Sequence, residues 1–130
     1  MARYFLNIGT DTNSTANWSD TSGGAGGFSV PTNTDDVFFD VNSGPATLTA
    51  NMSVKTLTFT GYASTITMSF NIFFNSAVTL DTGMTVAGSG KLQTGFNTTL
   101  TSNGKAWTNL EVATTNATLT FTDDWTVDNI

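Results

Sequence analysis

The chain contains no cysteine and no histidine, and only two prolines. Without cysteine no disulfide can staple the fold, and the redox compartment is left open. The two absences together exclude Cys/His zinc sites, thiol nucleophiles and Ser-His-Asp triads. Charge is scarce as well. Charged residues make up 11% of the 130, and the basic ones are Arg3, Lys55, Lys91 and Lys105, scattered along the sequence. A phosphate backbone is gripped by clustered Lys and Arg, so a net charge of −6 with so few cations argues against nucleic acid as a partner. Long apolar runs are missing too. The N-terminal stretch through Tyr4, Phe5, Leu6 and Ile8 is too short for a signal peptide or a membrane span. Membrane insertion is not expected, and a surface location would come from assembly, from lysis or from a missing leader. No segment keeps a helical period over ten residues.

What is present is a recurring aliphatic residue flanked by Thr. It stands at Leu48, Ile66, Leu80, Leu100 and Leu119, at steps of 18, 14, 20 and 19 residues. A second apolar residue follows each, six or seven positions on, at Val54, Ile72, Val86, Trp107 and Trp125. Two anchors per period, separated by polar corners such as Gly61, Asp81-Thr82-Gly83, Gly88-Ser89-Gly90 and Asn103-Gly104, are the mark of strands wound into stacked coils. Alternation supports strands: Val54, Thr56 and Thr58 oppose Lys55, Leu57 and Phe59. The expected fold is all-β, one structural unit of 13.7 kDa. Residues 46–130 form a parallel β-helix (β-solenoid), right-handed by the rule for parallel crossovers. The five aliphatics are expected to stack in one column at about 4.8 Å per layer. Residues 1–45 lack the period and are expected to cap the first layer, with Tyr4, Trp18 and Phe28 as the lid. A β-sandwich or jelly roll is the alternative, since Asp-Thr-Gly and Asn-Gly also suit hairpins.

No motif carries a catalytic or cofactor assignment. Gly23-Gly24-Ala25-Gly26-Gly27 lacks the Asp spacing of calcium-binding repeats and reads as a flexible loop or as tight backbone packing. Gly88-Ser89-Gly90-Lys91 lacks both the Ser/Thr and the helix of a phosphate loop. Asp36 with Asp40, or Asp81 with Glu111, could share a face as a glycosidase pair, but surface solvation or turn capping is the default reading of isolated Asp. Trp18, Trp107 and Trp125 could line a sugar platform, or pack inside. Metal and cofactor sites are expected to be absent.

The run Asn17-Trp18-Ser19-Asp20-Thr21-Ser22-Gly23-Gly24-Ala25-Gly26-Gly27, then Ser29-Val30-Pro31-Thr32 and Asp35-Asp36-Val37-Phe38-Phe39-Asp40, resembles the start of phage virion and tail-fibre-like proteins. Lys55-Thr56-Leu57-Thr58-Phe59-Thr60-Gly61-Tyr62 and Leu100-Thr101-Ser102-Asn103-Gly104-Lys105-Ala106-Trp107 look like the same group. An Asn-Trp followed by Val-Pro and an Asp-rich strand is more weakly similar to autotransporter-type β-helical passengers. The resemblance implies a non-enzymatic virion component, a tail fibre, spike or capsid-decoration subunit. It brings no catalytic residues. It implies self-association, a trimer being one form, alongside other virion proteins. It also implies that relatives continue into further coils, so that the last coil here either is cut short or stacks on another subunit. The rival readings are a carbohydrate-binding module contacting host-surface glycan, a depolymerase fragment and a secreted adhesin.

Overall fold

The computed structural model describes residues 1–107, 109–113 and 116–126; Thr108, Thr114, Thr115 and residues 127–130 of the expected coil region lie outside them. The molecule is a β-solenoid of about 4 turns. Its strands are β1 (Ala2–Phe5), β2 (Trp18–Ser19), β3 (Asp36–Asp40), β4 (Ala46–Leu48), β5 (Met52–Thr60), β6 (Thr65–Met68) and β7 (Ile72–Thr79). There follow β8 (Thr85–Gly88), β9 (Leu92–Thr94), β10 (Thr98–Thr101), β11 (Leu110–Val112) and β12 (Leu119–Phe121). A 3-10 turn at Thr15–Asn17 is the one helical element among the described residues. Every strand pair is parallel except β1 with β2.

Each full coil has three straight segments. The short sheet β4-β6-β8 forms one wall. The larger sheet forms the other two, because β5 and β7 each bend in the middle. Their register slips between Val54 and Thr56, so that Val54 pairs with Phe74 but Thr56 with Ala77. This slip inverts the expected alternation. Val54 and Leu57 both face the lumen and are fully buried, with Lys55 turned out at the corner between them. An extra residue in a strand flips every side chain beyond it to the other face. The same corner grows along the axis, from Lys55 to Asn75-Ser76 to Gly95-Phe96-Asn97, the last splitting one strand into β9 and β10.

Widening corners also break the expected single column. Leu48 pairs with Met68, Ile66 lies between Ala46 and Val86, and Leu100 lies between Val78 and Phe121. Leu80 ends the β7 segment and donates its N–H to the Thr101 carbonyl at 2.9 Å, while Leu119 pairs with Thr98. The first four are fully buried and Leu119 is half-buried, yet they belong to different columns. The reason is that Thr-apolar-Thr marks any segment whose middle residue points inward, and each coil has several. The actual columns are Val37-Leu57-Val78-Leu100-Phe121, Met52-Ile72-Leu92-Leu110 and Ala46-Ile66-Val86.

Parallel stacking begins before residue 46, since β1 and β3 are the first two rungs of the larger sheet and Asp11 bridges Thr47 in parallel. The end of the lumen is closed by β2, which runs antiparallel along β1. Trp18 is fully buried edge-on to Phe5 at 5.1 Å and to Phe39 at 6.0 Å. Its indole N–H donates to the Thr12 carbonyl at 2.9 Å. Phe28 packs half-buried on the core beneath the Arg3 guanidinium. Tyr4 is no part of this lid. In β1 the inward residues are Arg3 and Phe5, and alternation turns Tyr4 outward, where its ring stacks on Phe38 at 4.7 Å.

Gly88 ends β8 with φ +86, and a Cβ there would run into the Met68 backbone. Replacing it with Ala should therefore cost about 1–3 kcal/mol. Leu57→Ala, which empties the middle of the longest column, should cost about 2–5 kcal/mol. Thr58→Ala, one residue away on the outer face, should change stability by about 0.5 kcal/mol or less. Urea unfolding of the three variants measures the contrast, and equal midpoints for Leu57→Ala and Thr58→Ala would contradict the assigned faces.

Candidate functional site

Three of the carboxylates singled out by spacing, Asp36, Asp81 and Glu111, are acceptors for neighbouring coils, and Asp40 serves its own corner. Asp36 accepts from the Thr56 hydroxyl at 2.8 Å and lies 3.9 Å from the Lys55 ammonium. Asp40 accepts from the Asn42 N–H at 2.9 Å. Asp81 binds the Gly61 N–H through one oxygen and the Gly83 N–H through the other, both at 2.9 Å. Glu111 is held by Lys91 and by the Gln93 carboxamide. Asp81 stands at the corner after β7 and Glu111 within β11, and the structure does not bring them together. Asp123 accepts from the N–H groups of Ser102 at 2.8 Å and Asn103 at 2.7 Å, contacts that hold its carboxyl below the usual range.

The corners carry a ladder of side-chain-to-backbone bonds that sequence reading missed. Asn51 accepts from the N–H of Asn71 at 3.0 Å, and Asn71 accepts from that of Lys91 at 2.9 Å. Asn97 does the same for the Thr118 N–H at 2.9 Å. Stacked Asn residues at a step of one coil were the available signal: 51 and 71 differ by twenty. Tyr62, also unflagged, is fully buried and shares its hydroxyl proton between the carbonyls of Gly44 and Thr65, each at 3.0 Å. Burial pushes its pKa up to about 12.

The three tryptophans do not form a platform. Trp18 and Trp107 are inside, Trp107 at 6.3 Å from the Phe59 ring, and Trp125 packs half-buried on Phe121 at 6.0 Å. The glycine-rich loop is drawn tightly against its surroundings, for a Cβ at Gly26 would overlap the Ala16 carbonyl. Nearby, Leu6, Asn7, Ile8, Gly23, Val41 and Asn42 line an open depression of about 320 Å³.

The most ordered surface is the outer face of the Thr56–Thr60 segment and the segments paired with it. Thr56, Ala77, Thr99 and Thr120 form one file across four strands, and Thr58, Thr79, Thr101 and Thr122 lie one file over. Thr122 continues the β10–β12 register by one residue, and its hydroxyl meets that of Thr101 at 2.6 Å. Phe38 and Tyr4 head the second file.

Asp35 ties the lid to the first coil. Burial raises its pKa, but the Thr32 N–H and hydroxyl, each at 2.9 Å, together with Arg3 and the terminal ammonium, outweigh that and hold it lowered. A carboxyl depressed in the folded state contributes stability above its unfolded value near 3.8 and loses it as pH falls through the folded value. Acid titration followed by Trp18 fluorescence should therefore show the lid loosening below that value, and Asp35→Asn should weaken the lid at pH 7 while flattening the acid limb. Trp107→Ala should lower stability by about 3–5 kcal/mol as a core truncation. A Trp107→Ala protein with an unchanged urea midpoint would contradict the interior position.

The chain matches no family model, and no curated protein or solved structure is significantly similar to it.

Proposed function

We propose that the chain is a structural subunit of a phage virion, a tail fibre, spike or capsid surface-decoration protein that self-assembles by stacking β-strands. The observation that carries this reading is the in-register parallel solenoid closed at one end by β2, Trp18 and Phe28. Such a rod resists load because its backbone hydrogen bonds run along the axis and must break together. One closed end gives the rod a polarity, so growth by strand addition proceeds from the distal coils. The run from Asn17 to Asp40, with its likeness to tail-fibre-like proteins, supports the same role. Asp36, Asp40, Asp81 and Glu111 contribute to it as corner and ladder acceptors.

Quantitative mass spectrometry of purified particles from the phage that encodes the chain tests this directly. The chain should co-purify with intact virions, at hundreds of copies for a decoration protein or about a dozen for a fibre. Its absence from washed particles would overturn the reading.

A further inference from the structure

On the outer face of the Thr56–Thr60 segment and the later strands paired with it, eight positions lie in two files of four below Asp36 and Phe38, and seven of them are Thr. The chain carries a net charge of −6, yet none of these eight positions is charged; the nearest carboxylate, Asp36, continues the first file above Thr56 and accepts from its hydroxyl at 2.8 Å. The hydroxyls of Thr58, Thr79, Thr99 and Thr120 take no hydrogen bond from within the chain among the described residues. The ligand that complements this face is neutral, presents hydrogen-bonding groups and repeats in two dimensions.

We infer that this face binds ice. Water molecules in ice are joined by hydrogen bonds of about 2.75 Å, so tetrahedral geometry places second-neighbour oxygens about 4.5 Å apart and sets the hexagonal-axis repeat at about 7.3 Å. The sheet sets the threonines about 4.8 Å apart between strands and about 6.6 Å apart along them, with the Thr101 and Thr122 hydroxyls turned toward each other to 2.6 Å. The misfit is about 0.3 Å per strand, about 1 Å over four strands, and about 0.7 Å between the two files, and rotation of the hydroxyls about Cβ takes up part of it. Each Thr also supplies a methyl group beside its hydroxyl. The methyls hold water off the backbone and order it, and the hydroxyls anchor what has been ordered.

Other occupants fit less well. A sugar ring stacks on an exposed aromatic face, but Trp18 and Trp107 are buried, Tyr4 and Phe38 turn their faces toward each other at an interplanar angle of 15°, and the exposed Phe70, Phe96 and Phe121 lie outside the two threonine files. An ionic ligand would find a countercharge at one border of the face alone, where Asp36 is already engaged by the Thr56 hydroxyl and lies 3.9 Å from the Lys55 ammonium. A second copy would bury mainly hydroxyls, unlike the apolar interior of a stable dimer interface. Ice binding does not depend on the virion role, and particle composition leaves it untouched.

The test uses the purified full chain, the single variants Thr79→Lys and Thr101→Lys, and Ser53→Lys, which is turned outward on the neighbouring segment. Circular dichroism melts establish that each variant folds, and the readouts are ice-crystal faceting, the gap between melting and freezing points, and capture into slowly grown ice. The wild type and Ser53→Lys should facet ice and be captured, while both Thr→Lys variants should fall to the level of an inert protein. Wild-type protein excluded from ice would overturn the inference, as would equal loss in Ser53→Lys. So would a sedimentation shift or retention on insoluble neutral polysaccharide abolished by the same Thr→Lys variants, because either identifies a different occupant.

Discussion

The constraint on which this molecule depends is that each backbone segment finds its hydrogen-bond partner one coil away along the axis. Val37 over Leu57, Leu57 over Val78 and Val78 over Leu100 are separations of 20, 21 and 22 residues, so each rung closes a long loop. The entropy of that closure is recovered only if every position in the new coil meets a compatible neighbour. Compatibility here means likeness. Phe39 stacks on Phe59 at 5.0 Å, and the carboxamide of Asn51 serves the backbone of Asn71 as Asn71 serves that of Lys91. A coil is therefore selected column by column and not as a free-standing unit.

A stack must also end, and the first layer shows how. Arg3 occupies the inward position directly above Val37, where continuing the column with an aliphatic would leave it open to water. Its stem covers Val37 while its guanidinium donates to the Ser29 carbonyl at 3.0 Å and the Ser29 hydroxyl at 2.9 Å. Trp18 fills the adjoining position over Phe5 and Phe39. The two residues solve one problem by different means: one brings polar groups that remain satisfied, the other brings bulk. Asp35 binds Thr32 and the N-terminal ammonium, joining this lid to the start of β3. The closure is thus a hydrogen-bonded joint with an apolar underside, and its ionic part is the portion exposed to pH.

Much of this was legible before any coordinates. Thr56-Leu57-Thr58-Phe59-Thr60 states an inward–outward alternation that the fold obeys residue by residue. The all-β stacking followed from such segments and from the Gly and Asn corners between them. What could not be read was the phase between segments. Lys55 is a corner, but nothing in its identity distinguishes it from a strand residue, so Val54 was placed on the wrong face relative to Leu57. The same ambiguity merged Leu48, Ile66 and Leu100 into a column they do not share, and Tyr4, taken with Trp18 and Phe28 as a lid residue, is turned outward by the alternation within β1. Periodicity of two reports facing within a segment. Only pairing across coils, which depends on corner length, reports register. The threonine files illustrate the difference, since Ala77 to Thr79 and Thr99 to Thr101 fall into line only once Asn75-Ser76 and Gly95-Phe96-Asn97 are recognised as corners.

Strand propensity accounts for the threonines themselves, because a β-branched residue with one polar group suits any pleated surface that faces water. It accounts equally for Thr47 and Thr67 on the opposite wall. It does not account for the missing charge. Ordinary strand surfaces mix Lys and Glu into such faces, which keeps them soluble and blunts association. In this chain the charges stand mainly at corners and ends: Lys55 and Lys91 at bends, Asp81 after β7, Asp35 and Asp36 at the start of β3, Asp123 and Asp124 after β12. Those positions repel other molecules from the edges of the rod, and Asp36, which accepts from the Thr56 hydroxyl at 2.8 Å, marks the rim of its flat face. Separating the two duties, solubility at the corners and contact on the walls, lets a 130-residue acidic protein keep a neutral, regular surface. A face freed of charge in this way has given up the usual protection against adhesion. That is the physical reason to regard it as a surface selected to adhere.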